Sequence, residues 1–345
     1  MDYNATSPLK PPVQAAMQDA LGWTGNASSV HKWGRSARLV IEEAREAIAA
    51  LVGAKASAVV LTSGATEANN TILKTTPAAS IIMSAIEHPS LLHVRHDLEG
   101  KDVSLAPVTQ DGVIDLEALE RLLREKPAPS LVSVMWVNNE TGVIQPIAEI
   151  AKLVRRYHGF LHVDAVQAAG RVPIDMTAMG VDFLSLSAHK IGGPQGMGAL
   201  VLRTCFDTEM MPPLLEGGAQ EQKRRAGTEN IMGAIGFGVA AQEALAGLSA
   251  YSAIGKLRDR LEAAIMAIAS DDVIIFGHHA PRAANTSMIA LKNMPSETQM
   301  IHFDLAGIAV SNGSACASGT VAPSHVLTAM GFDEETAHSA VRISL

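Results

Sequence analysis

The stretch "FLSLSAHKIGGPQGMGALVLR", residues 183–203, decides the fold. Two short apolar runs, Phe183–Ala188 and Gly198–Arg203, flank His189, Lys190 and a glycine-rich turn. Matching runs lie upstream at Ala58–Ser63, Ser80–Ala85, Ser130–Val137 and Phe160–Ala165. As a set they are continuous rather than alternating, which is the mark of strands covered on both faces. Between them Arg35–Val52, Leu116–Glu125 and Ile147–Tyr157 carry apolar residues at helical spacing. This alternation predicts an α/β fold with a largely parallel sheet. After about Leu248 the texture changes. A helix over 252–269 is followed by "VIIFG" (273–277), "NTSMIAL" (285–291) and the glycine-rich "SNGSACASG" (311–319). The expected division is a large domain over 13–250, with 1–12 and 251–345 forming a smaller α+β domain.

Composition narrows the function classes. At 345 residues with 48% apolar content, the chain can fill substantial cores, and its 18% charged content suggests extensive burial. A net charge of −8 argues against nucleic acid as the main partner, because phosphate binding needs a concentrated basic surface. The two cysteines, Cys205 and Cys316, are too few and too far apart for a disulfide scaffold and suggest a reducing compartment. The first residues lack the apolar run of a signal peptide. The most apolar stretch, Ile231–Leu248, is Gly- and Ala-rich and interrupted by Gln242 and Glu243, so it is expected to be a buried, closely packed helix. A cytoplasmic location without membrane contact is the resulting expectation.

In open parallel sheets, ligands bind beyond the carboxyl ends of the strands. Thr66 follows the first run, His88 the second, Asn138 and Asn139 the third, Asp164 and Gln167 the fourth, and Ser187, His189 and Lys190 the fifth. Any one of these has an ordinary explanation; Thr66 alone reads as part of a helix start supported by Glu67. Five strand ends delivering polar groups to one rim are harder to explain structurally. Pyridoxal phosphate chemistry wants this set. Lys190 would form the Schiff base, Asp164 would hold the pyridine proton, and Thr66, Ser187 and His189 would bind the phosphate, with His88 over the ring. Two competing readings are weaker. A zinc site on His88, His93 and His96 has no second ligand cluster. "GGPQGMG" (192–198) matches no nucleotide-loop pattern and precedes a strand rather than a helix.

The motifs "DYNATSP", "TSGATEANN", "AIEHPS", "VNNETGVIQPI", "HVDAVQAAG", "GGAQEQKRRAGTEN", "SNGSACASG" and "PSHVLTAMG" occur in the order found in NifS/IscS-like cysteine desulfurases. These are fold-type I pyridoxal phosphate enzymes related to the class V aminotransferases, and the resemblance covers nearly the whole chain. It implies Lys190 as the cofactor lysine, Asp164 as the pyridinium partner, Gln167 on the ring hydroxyl and His88 stacked on the ring. Ala65, Thr66, Ser187 and His189 would hold the phosphate, joined by Thr228 from the second subunit of a homodimer. Asn139 and Arg342 would orient the substrate carboxylate, a task suited to the planar arginine fork. Members of this group usually continue for several helical turns past the segment around Arg342, whereas this sequence stops at Leu345.

The implied reaction converts L-cysteine to L-alanine, with Cys316 taking the sulfur as a persulfide and delivering it to an acceptor such as an iron–sulfur scaffold protein. That accounts for a thiol in a loop of Ser, Ala and Gly, where Gly313 and Gly319 give the backbone freedom to travel. Cys205, after a strand, reads as structural. The rival expectations are another class V enzyme of the aminotransferase or kynureninase-like type, a catalytically silent assembly scaffold, and a zinc hydrolase.

Overall fold

The computed structural model describes residues 1–98, 100–203, 206, 208–313 and 323–345; Cys205 and Cys316 lie outside the described residues. Seven strands form the main sheet: β1 (Val59–Thr62), β2 (Ser80–Ser84), β3 (Asp102–Ala106), β4 (Ser130–Met135), β5 (Phe160–Asp164), β6 (Phe183–Ser187) and β7 (Gly198–Leu202). Their order is β1-β7-β6-β5-β4-β2-β3. The run from β6 through β5, β4 and β2 to β3 is parallel, and β7 alone is antiparallel to its neighbours. Both faces are covered, so β2, β4, β6 and β7 are buried at every residue. The edge strand β3 is half exposed and carries no continuous apolar run, which is why its sequence does not announce it.

A second, antiparallel sheet comprises β8 (Val273–Ile275), β9 (Thr286–Leu291), β10 (Ser311–Asn312) and β11 (Ala340–Ser344), ordered β10-β11-β9-β8. The amino terminus adds to this sheet. Asp2 bridges Ser344, Tyr3 N donates to Ser344 O at 3.2 Å, and Asn4 N donates to Ser344 Oγ at 2.9 Å.

The helix Lys32–Val52 starts at His31, whose ring accepts from Gly34 N, and ends at Gly53 with φ +64. Only glycine takes that left-handed turn without strain, and a Cβ there would lie 2.8 Å from Asp175 Cα. Against it packs Ile231–Tyr251, which has the length and apolarity to cross a membrane by composition alone. Its small residues serve close packing instead: a Cβ on Gly238 would sit 2.9 Å from Ala44 Cα, and one on Gly236 would sit 2.7 Å from Met17 Sδ. A buried ion pair pins the next layer. Arg45 Nη2 donates to Glu221 Oε1 at 2.7 Å, and Leu61 N donates to Glu221 Oε2 at 2.8 Å.

Candidate active site

The carboxyl ends of β2, β4, β5 and β6 reach one edge of the main sheet, and a cavity of about 490 Å³ opens there. Ala65, Thr66, His88, Asn139, Asp164, Gln167, Ser187, His189, Lys190 and Arg342 all line it, drawn from six separate stretches of chain. Thr228 does not line the cavity; it is exposed in the loop before Ile231–Tyr251. Gly313, the last described residue before the segment carrying Cys316, also lines it.

Side chains alternate along a strand, so β5 sends His162 and Asp164 to one face. Asp164 caps that row. Its Oδ2 accepts from Asn69 Nδ2 at 2.9 Å and its Oδ1 from Val166 N at 3.0 Å, which fixes the carboxylate in place. Two residues deeper, His162 is fully buried between Ser133 Oγ (2.8 Å) and Ser185 Oγ (2.9 Å). Burial lowers its pKa to about 4, with Asp164 opposing, so the imidazole is neutral.

His88 precedes the short helix Pro89–Leu92, and its Nδ1 accepts from Ser90 N at 3.1 Å. A neutral ring accepting at Nδ1 carries its proton on Nε2. Burial lowers the His88 pKa; Asp164 raises it, and Lys190, His325 and His93 lower it further. The helix does not continue to His96: it ends at Leu92 and a 3-10 turn follows over Val94–Asp97. Among the described residues, no three His, Cys, Asp or Glu side chains gather as metal ligands.

Lys190 lies in a 3-10 turn after β6, ahead of Gly192 at φ +80. Its Nζ donates to the carbonyls of Asn4 (2.5 Å) and Ala5 (2.8 Å). Gln167 Nε2 also donates to Asn4 O, at 3.0 Å, so its amide is turned toward the amino-terminal segment. Burial and the neighbouring Lys190 charge bring the His189 pKa down to about 4.

At the opposite end, the helix Ala65–Thr75 begins after Gly64, which has no side chain to cap it. A Cβ on Gly198 would lie 2.6 Å from Gly64 Cα, so glycine at the start of β7 lets the two backbones meet there. An uncapped helix start beside hydroxyls is an anion site. A carboxylate, an amine, an anion site and an imidazole in one cavity match the donor set that pyridoxal phosphate requires.

The profile of the aminotransferase class V family matches residues 1–345. The chain belongs to the class V aminotransferase family. Within it the chain falls among the IscS/NifS-like proteins. It is 40% identical to the cysteine desulfurase IscS of Dictyoglomus turgidum, over 100% of this chain and 89% of that one. It is 42% identical to a cysteine desulfurase of Cereibacter sphaeroides, over 100% and 90%. Among solved structures, a NifS-like protein from Rickettsia africae superposes with a TM-score of 0.92 at 38% identity, covering 100% of this chain and 92% of that one. SspA in complex with cysteine superposes at 0.86 and 31% identity, covering 100% and 97%.

Several residues that shape the cavity carried no signal as single letters. Asn4 is a node. Besides the Lys190 and Gln167 contacts, its side chain bonds Asn139 O, Thr286 Oγ1, Asn285 Nδ2 and Arg171 Nη1. Arg171 also donates to Gln167 Oε1. Asn69 sits inside the "TSGATEANN" motif, yet only the fold shows that it grips Asp164.

Proposed function

We propose that the protein is a pyridoxal 5'-phosphate-dependent cysteine desulfurase, converting L-cysteine to L-alanine and passing the sulfur on as a persulfide of Cys316. The observation carrying this reading is the convergence of Lys190, Asp164, His88 and the start of Ala65–Thr75 on one cavity, with Gly313 at its wall. The homology to cysteine desulfurases supplies the substrate.

Bound in this cavity, pyridoxal phosphate supplies an electron sink for the substrate Cα. Lys190 would hold the cofactor aldehyde, and its amine would be the base for the substrate Cα proton. Asp164 keeps the pyridine nitrogen protonated, and Asn69 and Val166 N hold that carboxylate still. Ala65, Thr66, Ser187 and His189 take the phosphate, with Thr228 entering from a second subunit. Gln167 serves the ring hydroxyl, and His88 stacks on the ring. Asn139 and Arg342 receive the substrate carboxylate; among the described residues the buried Nε of Arg342 has no hydrogen-bond partner, as a group awaiting one would be.

Cys316, as thiolate, attacks the substrate sulfur. A sulfur–sulfur bond forms and the carbon–sulfur bond breaks, leaving its electron pair on the carbon fragment. That fragment takes up protons and departs as alanine, and Nε2–H of His88 is placed to move one of them. The persulfide then goes to an acceptor protein such as an iron–sulfur scaffold.

The homodimer is part of the same proposal. Leu21, Trp23, Val30, Trp33 and Leu39 lie between 48% and 86% exposed around the start of Lys32–Val52. An apolar cluster of this kind fits burial against a second copy.

The test is the absorbance of the purified protein with pyridoxal phosphate, before and after L-cysteine, with alanine and sulfide assayed alongside in the presence of a thiol that reduces the persulfide and releases its sulfur as sulfide. A cofactor band that shifts with substrate, alanine and sulfide in equal amounts, and loss of both products in Cys316→Ala are expected. Alanine formation that survives Cys316→Ala would point to another class V chemistry, and a protein that stays colourless would refute the cofactor assignment.

A further inference from the structure

Glu140 follows Asn139 in the turn after β4 and is 2% exposed. Buried carboxylates are rare unless paired, so its surroundings need a reason. The turn that presents it is rigid: Asn138 Oδ1 accepts from Glu140 N (3.0 Å), Thr141 N (2.9 Å) and Thr141 Oγ1 (3.1 Å). Gly142, at φ +75, leaves no room for a Cβ beside Thr286.

From this base the Glu140 carboxyl reaches two places far apart in sequence. Its Oε2 accepts from Ser324 Oγ, and Ser324 in turn caps the helix His325–Ala329 by accepting from Leu327 N at 3.1 Å. The same oxygen lies where a Cβ on Gly313 would stand, 2.3 Å away, so Gly313 brings bare backbone against the carboxylate. Gly313 follows β10, which pairs with β11 at Arg342 and Val341. Arg342 Nη1 donates to Asn139 O at 3.1 Å, beside Glu140, and Nη2 to Asp2 Oδ1 at 2.8 Å.

Gly313 and Ser324 are the residues flanking the stretch that contains Cys316. We propose that Glu140 is a positioning residue for sulfur transfer: by binding Ser324 and seating Gly313, it sets both ends of the Cys316 stretch against the wall that carries Asn139 and Arg342. Burial pushes the Glu140 carboxyl up to about 7, with Ser324 and Arg342 pulling it down, so its two partners only partly offset the cost of keeping it inside. This inference rests on Cys316 being the sulfur acceptor.

The experiment uses the holoenzyme in a single turnover with L-cysteine. Three signals are followed: the cofactor absorbance change on substrate binding, the alanine formed, and the rate at which iodoacetamide alkylates Cys316. Ser324→Ala removes the hydroxyl donor, and Gly313→Ala forces the carboxylate away. Both are expected to keep the substrate-induced absorbance change and to slow alanine formation by about tenfold or more, the scale of losing a hydrogen bond to a charged group. Ser324→Thr, which restores the hydroxyl, is expected to recover the rate, and Cys316 alkylation should change in both slow variants. Unchanged single-turnover rates would overturn the proposal. So would equal loss of binding and alanine formation, which would mark Glu140 as merely structural. Cys316→Ala separates the two readings: if it still yields alanine at the original rate, the assignment of Cys316 fails, whatever the Ser324 and Gly313 variants do.

Discussion

His162 offers a quantitative test of the electrostatics beneath the cavity. In the unfolded chain its imidazole titrates near the ordinary 6.5, and in the folded protein burial holds it near 4. Folding therefore favours the neutral ring. Its stabilising contribution is fully present above 6.5 and is lost as pH falls through that interval toward 4. At ~1.36 kcal/mol per pH unit, the whole interval is worth about 3 kcal/mol, and about 2 kcal/mol of it is gone at about pH 5. His162→Gln keeps a polar side chain that reaches only one of the two serine hydroxyls, so at about pH 7.5 it should be less stable by about 1 kcal/mol or more. Urea unfolding of both proteins at about pH 7.5 and about pH 5 isolates His162, because the other titrating groups are common to both. The stability gap should shrink by about 2 kcal/mol at the lower pH and close or reverse. A gap that is the same at both pH values would refute the account and mean that the ring is solvated or paired in a way its contacts with Ser133 and Ser185 do not describe.

Glu140 titrates in the opposite sense: its folded pKa is raised from 4.5 to about 7, so its contribution is full below 4.5 and lost as pH rises through 7. Glu140→Gln should remove up to about 3 kcal/mol of that alkaline loss, seen as a smaller drop in urea midpoint between about pH 5 and about pH 8. Glu221→Ala removes the buried bidentate partner of Arg45, leaving it the half-exposed Glu42 at its Nε, and should cost about 3 kcal/mol, measured by denaturant unfolding. Arg342→Gln removes the fork assigned to the substrate carboxylate; KM for L-cysteine should rise by about ten- to a hundredfold while the cofactor spectrum stays unchanged.

The residues at strand ends were legible because a parallel sheet leaves few places for a ligand, and the letters following each apolar run are those places. Asp164, His88, Ser187 and Lys190 all follow from that one rule. The chain's other contributions to the site depend on contacts that no local pattern encodes. Asn4 meets Arg171, Asn285 and Thr286 only once the two sheets are assembled. Glu140 carries no local sign of its burial, which comes from the turn at Asn138. His162 did leave a trace, a histidine inside a buried run with serines at Ser133 and Ser185 in adjacent strands, but pairing them requires the strand register. The short strands β10 and β11 were hidden for the same reason, since they exist only as partners of β9 and of each other.

The placement of Asn4 also sets a timetable. Its contacts reach Asn139, Gln167, Arg171, Lys190, Asn285 and Thr286, and its own N–H is bound by Ser344 in β11, 340 residues further along the chain. A ribosome therefore makes this part of the pocket wall long before its anchor. The seven-stranded sheet, complete by Leu202, can form while synthesis continues, whereas the contact of Asn4 with Ser344 waits for β11. Pairings this distant in sequence form late in folding. A chain interrupted before β11 would hold a largely folded main sheet beside a pocket still lacking Arg342 and the Ser344 anchor of Asn4.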